Sequence, residues 1–269
     1  MIRPLPGRSQ VRRPNQEDVT GPPQESAAES AMRVDLAEIT PPQRAVPPVA
    51  AVIVAVGAGL AFALLTTWIA ERGSALPAVD EHIHRWVISH RSQASITVAR
   101  VCTWGGVTRV VLPALIAVGA VTAGPGRDIT RRLGSGLLLS LVASAGVLVE
   151  IQINALIGRA RPPMADWAAV AGGPAFPSGH TTAATLFAGA CAWALTSRVR
   201  AGWPRRAVWA GAVVYAAAVG WSRVWLGVHW PADVVGGWLF GTAWLAGSIA
   251  VIFAVRRRHA GRRAARSTG

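Results

Sequence analysis

HWPADVVGGWLFGTAWLAGSIAVIFAVRRR, residues 229–258, joins a polar loop, a helix start and a long uncharged run that ends in arginines. Pro231 suits the first position of a helix, and Asp233 falls in the first turn, where the helix dipole favours a carboxylate. The uncharged run Val234–Val255 follows. At 1.5 Å per residue it is long enough to cross a hydrocarbon core of roughly 30 Å. Three arginines, Arg256 to Arg258, close it. Such a segment reads as a spanning helix whose basic end stays on the cytoplasmic side.

Outward from it, five further apolar runs have the same character: Pro48–Ala70, Val110–Gly124, Leu133–Ile157, Thr181–Thr196 and Ala207–Trp221. Val110–Gly124 and Ala207–Trp221 are short for a span and are expected to extend into flanking residues. The expectation is therefore an all-α, six-helix integral membrane bundle over residues 48–255. With 52% hydrophobic and only 15% charged residues, the chain is too apolar for a disordered protein or an ordinary soluble enzyme. Residues 1–47, rich in Pro, Gln, Glu, Ser and Arg, read as a disordered cytoplasmic tail with no cleavable signal peptide, and residues 256–269 as a basic cytoplasmic tail. Cys102 and Cys191 lack metal or disulfide spacing.

All 27 basic residues are arginine, and the net charge is +14. With the N-terminus inside, 19 arginines fall on the inner side of the six spans and 8 on the outer side. Both termini are thus expected in the cytoplasm, in a multi-pass plasma-membrane protein. Arginines distributed by loop, rather than gathered on one face, argue against nucleic-acid binding.

This topology brings four polar segments to the outer face: Arg159 and Arg161 after the third span, Pro177-Ser178-Gly179-His180 before the fourth, Arg223 after the fifth, and His229 to Asp233 before the sixth. Asp233 is the sole Asp or Glu after Trp167. It can cap its helix, orient His229 four residues earlier, or do both. Ser178-Gly179 at a helix start offers free backbone N–H groups to an anion. Arg161 and Arg223 match phosphate oxygens in planar, bidentate fashion. Two histidines beside two arginines suggest phosphoryl transfer. His180, His229 and Asp233 are not read as metal ligands, because the flanking arginines would repel a cation, and no cofactor is expected. Asp80, Glu81, His82, His84 and His90 form a cluster in the first outer loop that reads as an exposed amphipathic connector. Trp203, Trp221, Trp225 and Trp230 read as interfacial anchors, and Gly236, Gly237 and Gly241 as sites of close helix packing.

Arg161-Pro162, Pro-Ser-Gly-His at 177–180, and Ser222-Arg223 with His229 and Asp233 resemble the three-part motif of the type 2 phosphatidic acid phosphatase superfamily. The resemblance covers about residues 48–255. It implies a metal-independent phosphatase of the six-span membrane branch, with His229 as nucleophile, Asp233 orienting it and His180 protonating the leaving group. Arg161, Ser178, Gly179 and Arg223 would hold the phosphate. One position departs from the pattern: Asn154 stands where the family has Lys, seven residues before Arg161. Arg159 is the candidate to replace that cation, and Glu150, one turn before Asn154, is an intramembrane carboxylate of functional or structural role. The expected partners are the bilayer and a lipid phosphate or pyrophosphate reaching an outward-facing site, such as a polyprenyl pyrophosphate, a phosphatidic acid or a phosphatidylglycerol phosphate. A non-catalytic lipid-phosphate binding or transport protein is the alternative.

Overall fold

The computed structural model describes residues 48–72, 77–124, 126, 128–199 and 201–267, and the tail expected at 1–47 lies outside them. The described residues form eight α-helices and two 3₁₀ turns, with no strand. The helices are α1 (Pro48–Arg72), α2 (Ala78–His90), α3 (Gln93–Thr103), α4 (Thr108–Thr122), α5 (Ile129–Ile157), α6 (Gly179–Thr196), α7 (Trp203–Trp225) and α8 (Pro231–Ser267).

Local sequence sets the boundaries that matter. Asp128 caps α5 by accepting from the backbone N–H of Arg131, and Gly158 ends it at φ +63°, a conformation that costs glycine no steric strain. The short run expected at Ala207–Trp221 extends at both ends into α7, with Pro204 near its start. The run expected at Val110–Gly124 becomes α4, which joins α3 and its 3₁₀ turn across a 55° bend. The sixth run continues through the arginines as one helix to Ser267, so residues 256–267 of the expected basic tail prolong α8.

Four helices, α1, α5, α7 and α8, contain segments long and apolar enough to cross a membrane, and the bent pair makes a fifth candidate. The run expected as the fourth of six spans does form a helix, α6. Its polar opening, His180, Thr181 and Thr182, leaves it less apolar than those four. It is also the hub, packed against α4, α5, α7 and α8 and burying Leu186, Trp193 and both opening threonines. α1 packs on α8 and turns large residues outward, Leu60 61% and Leu64 71% exposed, a surface suited to lipid rather than water.

Small residues bring the hub into place. A Cβ on Gly237 would come 2.8 Å from Thr181 Cβ, and one on Gly241 would come 2.9 Å from Thr185 Cβ. The expected close packing of α8 on α6 is thereby present, and it carries the first turn of α8 to the first turn of α6. There the backbone N–H of Ser178 donates to the carbonyl of Asp233 at 3.0 Å.

Candidate active site

His229 lies in the short loop between α7 and α8, 2% exposed. Arg161 Nη1 stands 2.9 Å from His229 Nε2. A guanidinium has only donors, so Nε2 accepts and its lone pair is free of a proton. The ring proton therefore sits on Nδ1, which faces Asp233 Oδ2 at 3.4 Å, a long contact rather than a formed hydrogen bond. Burial, with Arg161 and Arg223 acting in the same direction, pushes the imidazole down to about 4 even though Asp233 opposes them. A neutral ring with an unprotonated Nε2 carries the lone pair that a nucleophile requires.

Asp233 caps its helix and stands beside His229. Its Oδ2 accepts from the backbone N–H of Trp230 at 2.8 Å, closing the start of α8, and the same oxygen faces His229. Its Oδ1 is gripped by Arg159 Nη1 at 2.6 Å.

Arg161 ties two loops together, donating from Nη1 to the Val228 carbonyl before α8, and from Nε to Gly173 and Nη2 to Gly172 before α6. Burial lowers its pKa, while Asp233 and Glu150 favour its charge. Arg223, 3% exposed in the last turn of α7, donates from Nη1 to Thr103 Oγ1 at 2.7 Å, and its buried Nε has no partner. A buried guanidinium N–H without an acceptor is costly, and an incoming phosphate oxygen would satisfy it. His180, in the first turn of α6, is close enough to Arg223, His229 and Arg161 to be coupled to all three electrostatically.

Ser178 precedes α6 without capping it, since its Oγ accepts from Thr181 Oγ1 instead. The first N–H groups of the helix, at Gly179 and His180, have no intrahelical acceptor and remain available to an anion. Gly179 also admits Glu150, whose carboxylate oxygen lies 3.2 Å from where a Cβ would stand. A side chain at 179 would crowd that carboxylate.

Two expected phosphate ligands are elsewhere. Asn154 does not face the anion seat: its Nδ2 donates to the carbonyls of Pro174 and Pro177, tying down the loop that delivers Ser178. Arg159, expected as the replacement cation, is 8% exposed and turned behind the site, with its second arm donating to Asp80 Oδ2 at 2.7 Å. Both ends of its guanidinium are occupied by carboxylates.

Asp80 lies outside the motif, in a stretch whose sequence reads as an exposed connector. It is fully buried, and its other oxygen accepts from the backbone N–H of Ala232 at 2.9 Å. Burial raises its pKa, while Arg159 and that N–H hold it down. His84 on the same helix pairs with Asp166 at 3.0 Å and packs on Trp230, and Val87 meets Val224 and Val234. The spacing of Asp80, His84 and Val87 on one helical face was the available signal. Trp230, expected as an interfacial anchor, is 3% exposed and donates from Nε1 to the Ala160 carbonyl, whereas Trp203 is 78% exposed.

Residues 134–257 match the family described as the PAP2 superfamily. The chain is 30% identical to phosphatidylglycerophosphatase B of Bacillus subtilis over 169 residues, 62% of this chain and 80% of that protein. It is 35% identical to lipid A 1-phosphatase of Rhizobium johnstonii over 131 residues, 45% of this chain and 48% of the relative, so it spans about half of that protein's length. An undecaprenyl-diphosphatase of Sulfolobus acidocaldarius matches at 39% identity over 71 residues, 26% of this chain and 30% of that protein. Among solved structures, the transmembrane PAP2 type phosphatidylglycerolphosphate phosphatase from Bacillus subtilis superimposes with a TM-score of 0.64 at 26% identity, covering 76% of this chain and 96% of the other.

Proposed function

This chain belongs to the PAP2 superfamily, and on that premise we propose that it is an integral membrane phosphatase that hydrolyses a lipid phosphate or lipid pyrophosphate through a phosphohistidine intermediate. The observation that carries the reading is the state of His229: an unprotonated Nε2 facing Arg161, with Asp233 behind Nδ1.

Phosphate enters between Arg161, Arg223 and the first turn of α6, and Arg161 transfers its Nη1 hydrogen bond from Nε2 to a phosphate oxygen. The freed lone pair attacks phosphorus in line. As the N–P bond forms, the bond to the leaving oxygen breaks and His180 supplies that oxygen's proton. The Nδ1–H of the phosphorylated ring tightens onto Asp233. Water then attacks phosphorus, gives a proton to His180, and displaces His229 as inorganic phosphate leaves. The arginines and the helix N–H groups stabilise the charge on the equatorial oxygens throughout.

The substrate is an amphiphile whose headgroup rises to the site from the bilayer, in keeping with the lipid names of the relatives. The six-span reading, with α6 as the fourth span and the bent pair supplying the second, puts both termini in the cytoplasm and the site outside in the plasma membrane. The arginine distribution supports it. Asn154 is the one feature favouring a non-catalytic lipid-phosphate binder, and its amide donates to the loop carbonyls of Pro174 and Pro177.

Purified protein in detergent with chelator is expected to release phosphate from at least one of phosphatidic acid, phosphatidylglycerol phosphate and a polyprenyl pyrophosphate, and to form an acid-labile phosphoenzyme. His229→Ala abolishes both. Retention of more than about a tenth of the wild-type rate in that variant rejects His229 as nucleophile, given the ~10²–10⁴-fold typical of such groups.

A further inference from the structure

Behind the His229–Asp233 pair runs a buried chain of charge that the phosphatase motif does not contain. Arg159 sits between two carboxylates, 2.6 Å from Asp233 Oδ1 and 2.7 Å from Asp80 Oδ2. Asp80 is fully buried on α2, and Arg159 is 8% exposed. The free oxygen of Asp80 takes the backbone N–H of Ala232, in the turn of α8 that carries Asp233. One side chain from a distant helix therefore holds both the cation that grips Asp233 and the backbone beside it.

Burying two carboxylates on one guanidinium is a poor way to gain stability, because each ion gives up its hydration and apolar packing would serve the fold as well. What the arrangement does supply is position and charge. Asp233 Oδ1 is pinned, so Oδ2 stays aimed at His229 Nδ1. With Asp80 present, Arg159 is shared between two acids, which leaves Asp233 more of its negative charge to stabilise the imidazolium. Without Asp80, Arg159 would draw on Asp233 alone.

We infer that Asp80 is a positioning residue for the reaction, acting through Arg159 on Asp233 and so on the nucleophile. The inference rests on the proposed role of His229. Around that ring stand Asp233 on α8, Arg161 from the loop after α5, Arg223 on α7 and His180 on α6. Arg159 and Asp80 form the layer behind Asp233.

The test measures kcat and KM against pH for Asp80→Asn in the full chain in detergent, with whichever lipid phosphate the wild type turns over. His229→Ala is assayed first. If it remains active, the functional reading fails; if it is dead, the Asp80 result judges this inference alone. Asn keeps an acceptor for Ala232 but removes the charge. The expected result is a fall in kcat of about tenfold with KM within twofold. In addition, the acid limb of kcat/KM moves to lower pH, because one less negative charge behind the ring disfavours its protonation. Asp80→Glu restores the limb and part of kcat. A purely structural strap would lower thermal stability and leave kcat and the limb of the folded fraction unchanged, which overturns the inference. Should Asp80→Asn not fold, Arg159→Lys decides the point. It keeps the cation but lacks the fork that bridges two acids, so kcat falls at constant KM, and an unchanged kcat overturns the proposal.

Discussion

Lowering the pH is the most direct perturbation of His229, the proposed nucleophile. An ordinary histidine, with a pKa of 6.5, is about nine-tenths protonated at pH 5.5 and keeps only about a tenth of its lone pairs free. Burial and the two arginines push His229 down to about 4. At pH 5.5 about 97% of the rings then stay neutral, so the two cases differ about tenfold in reactive enzyme. The sign follows from the base form being the active one: a depressed pKa extends activity toward acid. The wild type is expected to retain nearly all of its kcat/KM at pH 5.5, after correction for the substrate's own ionisation, since a phosphate monoester titrates near 6.

The assay is kcat/KM from pH 4.5 to 8 with a soluble short-chain lipid phosphate, its phosphate titrated separately by phosphorus NMR. Arg161→Gln provides the internal check. Removing a cation that faces the ring raises the ring's pKa, so its acid limb moves up, opposite to the shift expected of Asp80→Asn. Loss of its charged hydrogen bonds to phosphate, ~1.5–3 kcal/mol, should also lower kcat/KM ten- to a hundredfold. A wild-type acid limb between 6 and 7 after correction, or a limb that does not move in Arg161→Gln, refutes the account of how this histidine is kept neutral.

Three other outcomes follow from the same geometry. Asn154→Ala removes two hydrogen bonds to the loop before α6, each worth about 1 kcal/mol; thermal unfolding in detergent should begin earlier while inhibition by inorganic phosphate is unchanged, and weakened phosphate inhibition would return Asn154 to the anion seat. Gly237→Val would drive side-chain atoms into Thr181 and the Ser178 carbonyl, so both folding yield and phosphate release should collapse, whereas Gly211→Val, with open space around its Cβ position, should behave as wild type in both measurements. Single cysteines at Ala171 and Ala201, in a background without Cys102 and Cys191, should react oppositely with an impermeant reagent in intact cells; labelling of 201 alone reverses the proposed orientation.

How much of this was legible beforehand depended on the range of the cause. Helix starts near the site are written locally: Gly158 ends α5, Pro231 and Asp233 open α8, and Ser178-Gly179 opens α6. Runs of uncharged residues likewise announce the apolar helices, though not which of them becomes a buried hub. α6 takes that place because Gly237 and Gly241 let α8 close on its threonine face, a match between two helices that neither sequence reveals by itself. The departure at Asn154 misled for a similar reason, since the acceptors that claim its amide lie 20 and 23 residues downstream.

Arg159 and Arg161 show where local reading stops. They are two residues apart at the start of one loop, 158–178, identical in chemistry, and both expected at the phosphate. In the fold they bracket the His229–Asp233 pair from opposite ends, Arg161 at Nε2 in front and Arg159 at Asp233 Oδ1 behind. The carboxylate that draws Arg159 backward belongs to α2, 79 residues earlier. In the proposed mechanism the front arginine leaves Nε2 when phosphate arrives, and it is held by the carbonyls of Gly172, Gly173 and Val228, neutral acceptors that a phosphate can outbid. The rear arginine must stay put, and it is held by two buried acids. The strength of the partner, rather than the identity of the side chain, divides the arginine proposed to handle substrate from the one proposed to hold Asp233 in place.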